Sequence, residues 1–404
     1  MATAGRRAIL RAMLGLAAAA VVACQERLAG PADCPNLCPG GYQLRDTVLS
    51  PLQNQDSSFL GYVLAGQGTS LRVSWQFPVS EDRSVVRFIP RPDSFTVSTD
   101  SLLPYTIDSV QLSFQVAYRD TSVKNLYVYI YRLPATVDSS YTFAEADSAF
   151  TPASIIDSFH VSDDSVIQTL ADTLRGAALS RVAIAQADTG ILAIGFQIRA
   201  ASGTGIRLTS AGTGAPTFRT FVTVKTGDTT TVSQTFARGA SFQRFLSMAT
   251  VPFDPTILTV GGVPSARTIM RFPWPEYLKD SAQLIRATLE LIPTGPIQGL
   301  NGDTAHILVD PVLADFGAKS PTTTVTTNIS TVPILAGQTD TVRIEMLNGI
   351  GLWQGTTARP PALMLQLAPE GSSFTRATFG STRTPAIAPI LRLTYALRYP
   401  FDAP

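Results

Sequence analysis

At 404 residues the chain is long enough for two or three domains, each with its own core. Charged residues make up 15% of it and hydrophobic residues 45%, a balance that suits a Thr/Ser-surfaced all-β protein better than a helical one. A formal net charge of +1 supplies no basic field for a nucleic-acid backbone, so no nucleic-acid partner is expected.

The N-terminus carries the sharpest local signal. Arg6 and Arg7 form a positive region, residues 9–22 form an apolar run, and Val21-Val22-Ala23-Cys24 has the form of a lipobox. The run is too short and too rich in alanine for a comfortable permanent span. The segment resembles bacterial lipoprotein signals, which implies a signal peptide over residues 1–23, cleavage before Cys24 and attachment of diacylglycerol to its thiol. Gln25 rather than an aspartate follows, and by the sorting rule of such lipoproteins this implies the outer membrane, with the periplasmic or surface face left open. The alternative is an ordinary secretory signal with an incidental cysteine. Residues 24–45 are rich in Pro and Gly, lack apolar periodicity and read as a tether. Within it, Cys34 and Cys38 are spaced to close a small disulfide loop in an oxidising compartment; zinc would need two more ligands, and neither histidine is near.

Past the tether, strand signals dominate. Alternation runs through residues 71–77, 84–89, 109–117 and 126–133, with Asp, Ser, Pro and Gly in the gaps. Residues 165–170 read as a strand followed by a turn or two of helix. A repeat then emerges. Val85-Val86-Arg87-Phe88 is echoed by Ile269-Met270-Arg271-Phe272, and Asp108-Ser109-Val110-Gln111-Leu112 by Asp280-Ser281-Ala282-Gln283-Leu284. Asp164-Ser165-Val166 matches Asp340-Thr341-Val342, and residues 191–198 match 362–367 in the same order. Short strands, frequent turns and little helix predict an all-β chain of two tandem antiparallel two-sheet β-sandwiches, over residues 46–225 and 226–399, joined near 225–230.

An R-F strand, a D-S-x-Q-L strand, a turn carrying Trp353, the Glu370-Gly371-Ser372 turn and a closing P-x-L-x-L-x-Y run follow one another over residues 265–395. In this order they resemble the DNRLRE-type domain and related surface lipoproteins of Gram-negative bacteria, jelly-roll sandwiches akin to carbohydrate-binding modules. The likeness is weaker over residues 46–224, where Trp353 and the Glu-Gly-Ser turn have no clear counterpart. It implies an extracellular, non-enzymatic module.

Candidate sites are few. His160 and His306 fall in different copies, and no H-E-x-x-H, G-x-S-x-G or Walker-type run is present. No catalytic residue and no cofactor is therefore expected. Asp163 and Asp164 beside Asp157 offer hard oxygen ligands for calcium, or form a solvated turn. Arg87 and Arg271 point away from a core-facing Phe, as contacts for an anion or sugar or as partners of a nearby carboxylate. Asn301-Gly302-Asp303 reads as a hairpin turn. Period two places Tyr127, Tyr129 and Tyr131 on one face and Val128 with Ile130 on the other. With the aliphatic face inward, the tyrosines form a row able to stack on sugar rings or dock a protein, or they pack beneath a loop. The reading is a lipid-anchored binding or adhesion module for polysaccharide or a partner protein. The alternative is a structural spacer or assembly subunit of an envelope complex.

Overall fold

Period-two alternation becomes two dry cores. The computed structural model describes residues 44–61, 70–97, 100–182, 191–355 and 359–397; the expected signal peptide, most of the tether, and Cys24, Cys34 and Cys38 lie outside them. The chain opens with β1 (Leu44–Leu49) and β2 (Ser57–Leu60). It continues through β3 (Ser70–Trp75), β4 (Ser80–Phe88), β5 (Phe95–Val97), β6 (Asp100–Leu103), β7 (Tyr105–Arg119), β8 (Tyr127–Leu133), β9 (Ile155–His160) and β10 (Gln168–Leu174). After these come β11 (Ala193–Arg199), β12 (Thr204–Thr209), β13 (Thr217–Lys225), β14 (Thr231–Arg238) and β15 (Ala240–Ala249). The last series is β16 (Leu258–Gly261), β17 (Ala266–Arg271), β18 (Ala282–Leu291), β19 (Ala305–Pro311), β20 (Ser330–Ile334), β21 (Val342–Glu345), β22 (Ala362–Ala368), β23 (Arg376–Phe379) and β24 (Ile390–Leu397).

Antiparallel pairing sorts these strands into two sandwiches. In the first, β3-β12-β7-β10 packs on β4-β11-β8-β9, with β13 and β14 extending one sheet and β15 the other. Val86, Phe114, Val128, Ile130 and Phe196 fill the space between them. In the second, β1-β24-β18-β21 packs on β17-β22-β19-β20 around Trp353, Phe272, Leu289, Leu365 and Leu391. Each such aliphatic or aromatic side chain contributes about 1.5–3 kcal/mol by leaving water. Both strand orders are those of a jelly roll. The segments that echo one another in the sequence hold the same places in the two orders: β4 with β17, β7 with β18, β10 with β21, β11 with β22.

The domain boundaries differ from those expected. Residues 225–230 are not a junction but the turn of a hairpin, in which β13 pairs β14 from Phe218 opposite Arg238 to Lys225 opposite Thr231. The chain leaves the first sandwich only after β15. Moreover β1 belongs to the second sandwich, pairing along its whole length with β24 from Leu44 opposite Ala396 to Leu49 opposite Leu391, while β2 pairs β17. The first sandwich, residues 70–249, is thus inserted between the first two jelly-roll strands of the second, so the pair is not in simple tandem. An alternating strand fits any edge with a matching face, so position along the chain does not reveal its partner.

A side-chain seam joins the sandwiches. Phe374, fully buried in the turn after β22, meets Phe77 edge-on at 5.4 Å and lies 4.3 Å from the Arg72 guanidinium. Arg72 is itself fully buried, held by Asp82 at 3.0 Å and donating to the Ser373 carbonyl at 2.9 Å. Arg207 pairs with Asp303 at 3.0 Å, and the Tyr118 hydroxyl donates to the Asn301 carbonyl at 2.6 Å. The Asn301-Gly302-Asp303 turn, expected as a plain hairpin, therefore supplies polar partners across the seam.

Candidate functional site

The outer face of β15-β4-β11-β8-β9 is built by register. Tyr131 stands opposite Gly195, Tyr129 opposite Gln197 and Tyr127 opposite Arg199 on β11, while His160 and Ser158 of β9 flank Tyr127 and Tyr129 on the other side. Val128 and Ile130 point into the core and are fully buried, as the alternation predicts. The three tyrosines do share a face, but that face is divided.

A strap between β8 and β9 divides it. Its helix, Phe143–Ala149, starts because the Thr142 hydroxyl accepts the Glu145 N–H while the Glu145 carboxylate accepts the Thr142 N–H, a reciprocal cap that satisfies two otherwise orphaned donors. Phe150 follows and packs on the sheet over Gly195, where an added Cβ would come within 2.2 Å of its ring. Val137, Ala146, Leu133, Val85, Ala193 and Leu246 form a satellite core beneath the strap. Arg87 helps to hold the strap down by donating to the Val137 carbonyl at 3.0 Å.

Tyr131 lies on the covered side. It is 1% exposed, stacks on Phe150 at 4.6 Å and donates its hydroxyl to the Gln197 side chain at 2.8 Å. Burial pushes its hydroxyl pKa up, and the Arg199 guanidinium nearby draws it partly back. Its place in an exposed row is therefore corrected: an inserted loop covers it, a feature that period two on β8 alone does not encode.

Tyr127 and Tyr129 lie on the open side. Tyr127 is 39% exposed, Tyr129 half-buried, and their rings are 6.5 Å apart and tilted by 42°. The exposed Arg199 lays its guanidinium 5.0 Å from the Tyr129 ring, and His160, also exposed, meets Tyr127 edge-on at 5.0 Å. The result is an aromatic shelf bordered by a fixed cation and an imidazole. The sequence reading did not single out Arg199 and named His160 without placing it beside the tyrosines; the Gln-x-Arg alternation in β11 is visible in the sequence, but its register against the tyrosines is not.

The second sandwich provides an internal comparison. Arg87 stands opposite Ala193 and Arg271 opposite Ala362, which aligns the two faces. Tyr131 then corresponds to Asp310, Tyr129 to Leu308, Tyr127 to His306 and Arg199 to Ala368. Gln197 corresponds to Gln366, which donates to Asp310 at 2.8 Å just as Gln197 accepts from Tyr131. The polar pair under the face is common to both sandwiches, whereas the aromatic shelf belongs to the first. Burial pushes the Asp310 carboxyl up to about 6, against the opposing pull of Arg267 and Gln366.

The calcium candidates are not brought together. Asp157 points to Asp172 of β10, and burial, with that second carboxylate, raises its pKa against the pull of the Ser158 N–H. Asp163 instead accepts the Asn125 N–H at 3.1 Å and lies 3.8 Å from Arg119, while Asp164 is exposed 3.9 Å from Lys124. Among the described residues no three His, Cys, Asp or Glu side chains are grouped to hold a metal ion. Arg271 makes a two-pronged ion pair with Asp315 at 2.5 and 2.8 Å, which fixes a loop. Trp353 is buried against Trp274 as a core residue, while Trp75 is half-buried beside the first core.

Among the described residues no helix is long and apolar enough to cross a membrane. No known protein family matches the chain, and no curated protein matches it.

Proposed function

We propose that this chain is a non-enzymatic, lipid-anchored outer-membrane protein that binds polysaccharide through the open half of the first sandwich's outer face. The observation that carries this reading is the shelf of Tyr127 and Tyr129 between Arg199 and His160. It is partly exposed and stops at the strap. Tyrosine rings give an apolar face for a sugar ring and a hydroxyl for its polar edge. In this reading Cys24 carries the anchor, and the second sandwich is a DNRLRE-type domain that supports the first.

A second reading, a spacer or assembly subunit of an envelope complex, draws on the seam: a buried arginine, an interlocked Phe374 and the Arg207–Asp303 pair suit two sandwiches held stiffly together. Two measurements separate the readings. The detergent-solubilised full chain is screened on a glycan array with its Tyr129→Ala variant, beside a pull-down from solubilised envelope. A glycan signal lost in Tyr129→Ala supports binding at the shelf; no glycan signal together with a stable protein partner favours the spacer.

A further inference from the structure

We infer that the polysaccharide held on this shelf is anionic and bears uronate groups, and that Arg199 receives their carboxylate. This rests on the proposal that the shelf binds glycan, and it adds the ligand's charge.

Four inward-lying arginines of the first sandwich are held by carboxylates, while Arg87 is held by the Val137 carbonyl. Arg72 is held by Asp82, Arg83 by Asp147 and Glu81, Arg119 by Asp163 and Arg207 by Asp303. Arg199 differs. It is exposed, faces an aromatic ring and has no carboxylate within ion-pair distance among the described residues. A guanidinium stacked on a ring has lost much of its torsional freedom, and its planar fork of donors matches a carboxylate in two-pronged fashion. The Tyr129 ring fixes where that fork sits, so a sugar stacked on the neighbouring Tyr127 presents an equatorial carboxylate to it. His160, at the far side of Tyr127, adds a ring nitrogen to the same border. The second sandwich sharpens the assignment. At the corresponding positions it has Leu308 for Tyr129 and Ala368 for Arg199, so stacking ring and cation are present together in one copy and absent together in the other.

The test uses the full chain in detergent with two polymers, polygalacturonate and alginate, and the methyl ester of each, which keeps the sugar ring and removes the charge. The expected result is binding of the acids about tenfold or more tighter than their esters, weakening as salt is raised. Arg199→Gln should abolish this preference and bind acid and ester alike, and Arg199→Lys should recover only part of it. Tyr129→Ala should weaken both forms. Because Arg199 is exposed, an unchanged thermal midpoint confirms that its variants fold. Equal binding of acid and ester by the native chain, or a preference that survives in Arg199→Gln, overturns the anionic assignment and leaves the shelf standing as a neutral-glycan site. Failure to bind any of the four overturns the assignment together with the reading beneath it.

Discussion

Truncating Phe374 to alanine tests whether the seam makes one mechanical unit of two sandwiches. Phe374 belongs by sequence to the second sandwich, yet it packs against residues of the first. It touches Phe77 and Arg72, and it sits over Gly205, where a Cβ would lie 2.8 Å from the ring. Loss of a fully buried phenylalanine costs about 3–5 kcal/mol, and the lost guanidinium–ring attraction falls within that range rather than adding cleanly to it. Neither jelly-roll core contains Phe374; it lies in a small separate cluster with Phe77, Val79 and Leu300. The cost therefore falls on the coupling of the sandwiches and not on either fold. Scanning calorimetry should show one transition for the native chain and two for Phe374→Ala, the earlier lowered by roughly 6 °C or more, given about 2–4 °C per kcal/mol for units of this size. Gly205→Ala approaches the same contact from the other side, by overfilling, at about 1–3 kcal/mol. A single transition displaced by less than about 2 °C in Phe374→Ala would show that the seam carries little of the coupling.

Removing the two ends of the Arg207–Asp303 pair should have unequal effects, read from urea unfolding. Asp303 has a 1% exposed side chain, so Arg207→Ala strands a buried charge at about 3–5 kcal/mol, whereas Asp303→Asn leaves behind only the 17% exposed Arg207 and costs less. Gly195→Ala drives a Cβ into Phe150 at 2.2 Å, so it should lift the strap and open residues 134–154 to protease while the first core stays folded. Asp310 gives a pH signature. Its folded pKa of about 6 lies above the ordinary 3.8, so its favourable contribution is full below about pH 4 and is lost as pH rises through 6. Replacing it with Asn should therefore stabilise the chain by about 2–3 kcal/mol at pH 7.5 and by nearly nothing at pH 4. Equal differences at both pH values would remove burial of the charge as the cause.

The fold was legible where periodicity and repetition were enough. Val128 and Ile130 were placed in the core by alternation alone, and the echo of Arg87-Phe88 in Arg271-Phe272 marked two strands that do hold the same place in two jelly rolls. What failed were statements about partners. β1 completes the second sandwich across a gap filled by the whole of the first, and residues 225–230 look like a junction because a polar hairpin turn and a linker share composition. The site was legible in the same partial way. The tyrosine row was read from β8, but Tyr131 was lost from it because the strap brings Phe150 over Gly195, and Arg199 and His160 joined it through register with strands about 70 and 30 residues downstream. Phe374 and Asp303 carried no signal, since their environment is made by the other sandwich.

The duplication supplies the most direct measurement of the central claim, that the shelf of the first sandwich is the binding face. Glycan binding by Tyr129→Ala and by Leu308→Ala is compared in the full chain, the two substitutions falling at equivalent positions of the two faces. Binding should drop in Tyr129→Ala and remain at the native level in Leu308→Ala; equal loss in both, or loss in Leu308→Ala alone, would contradict it.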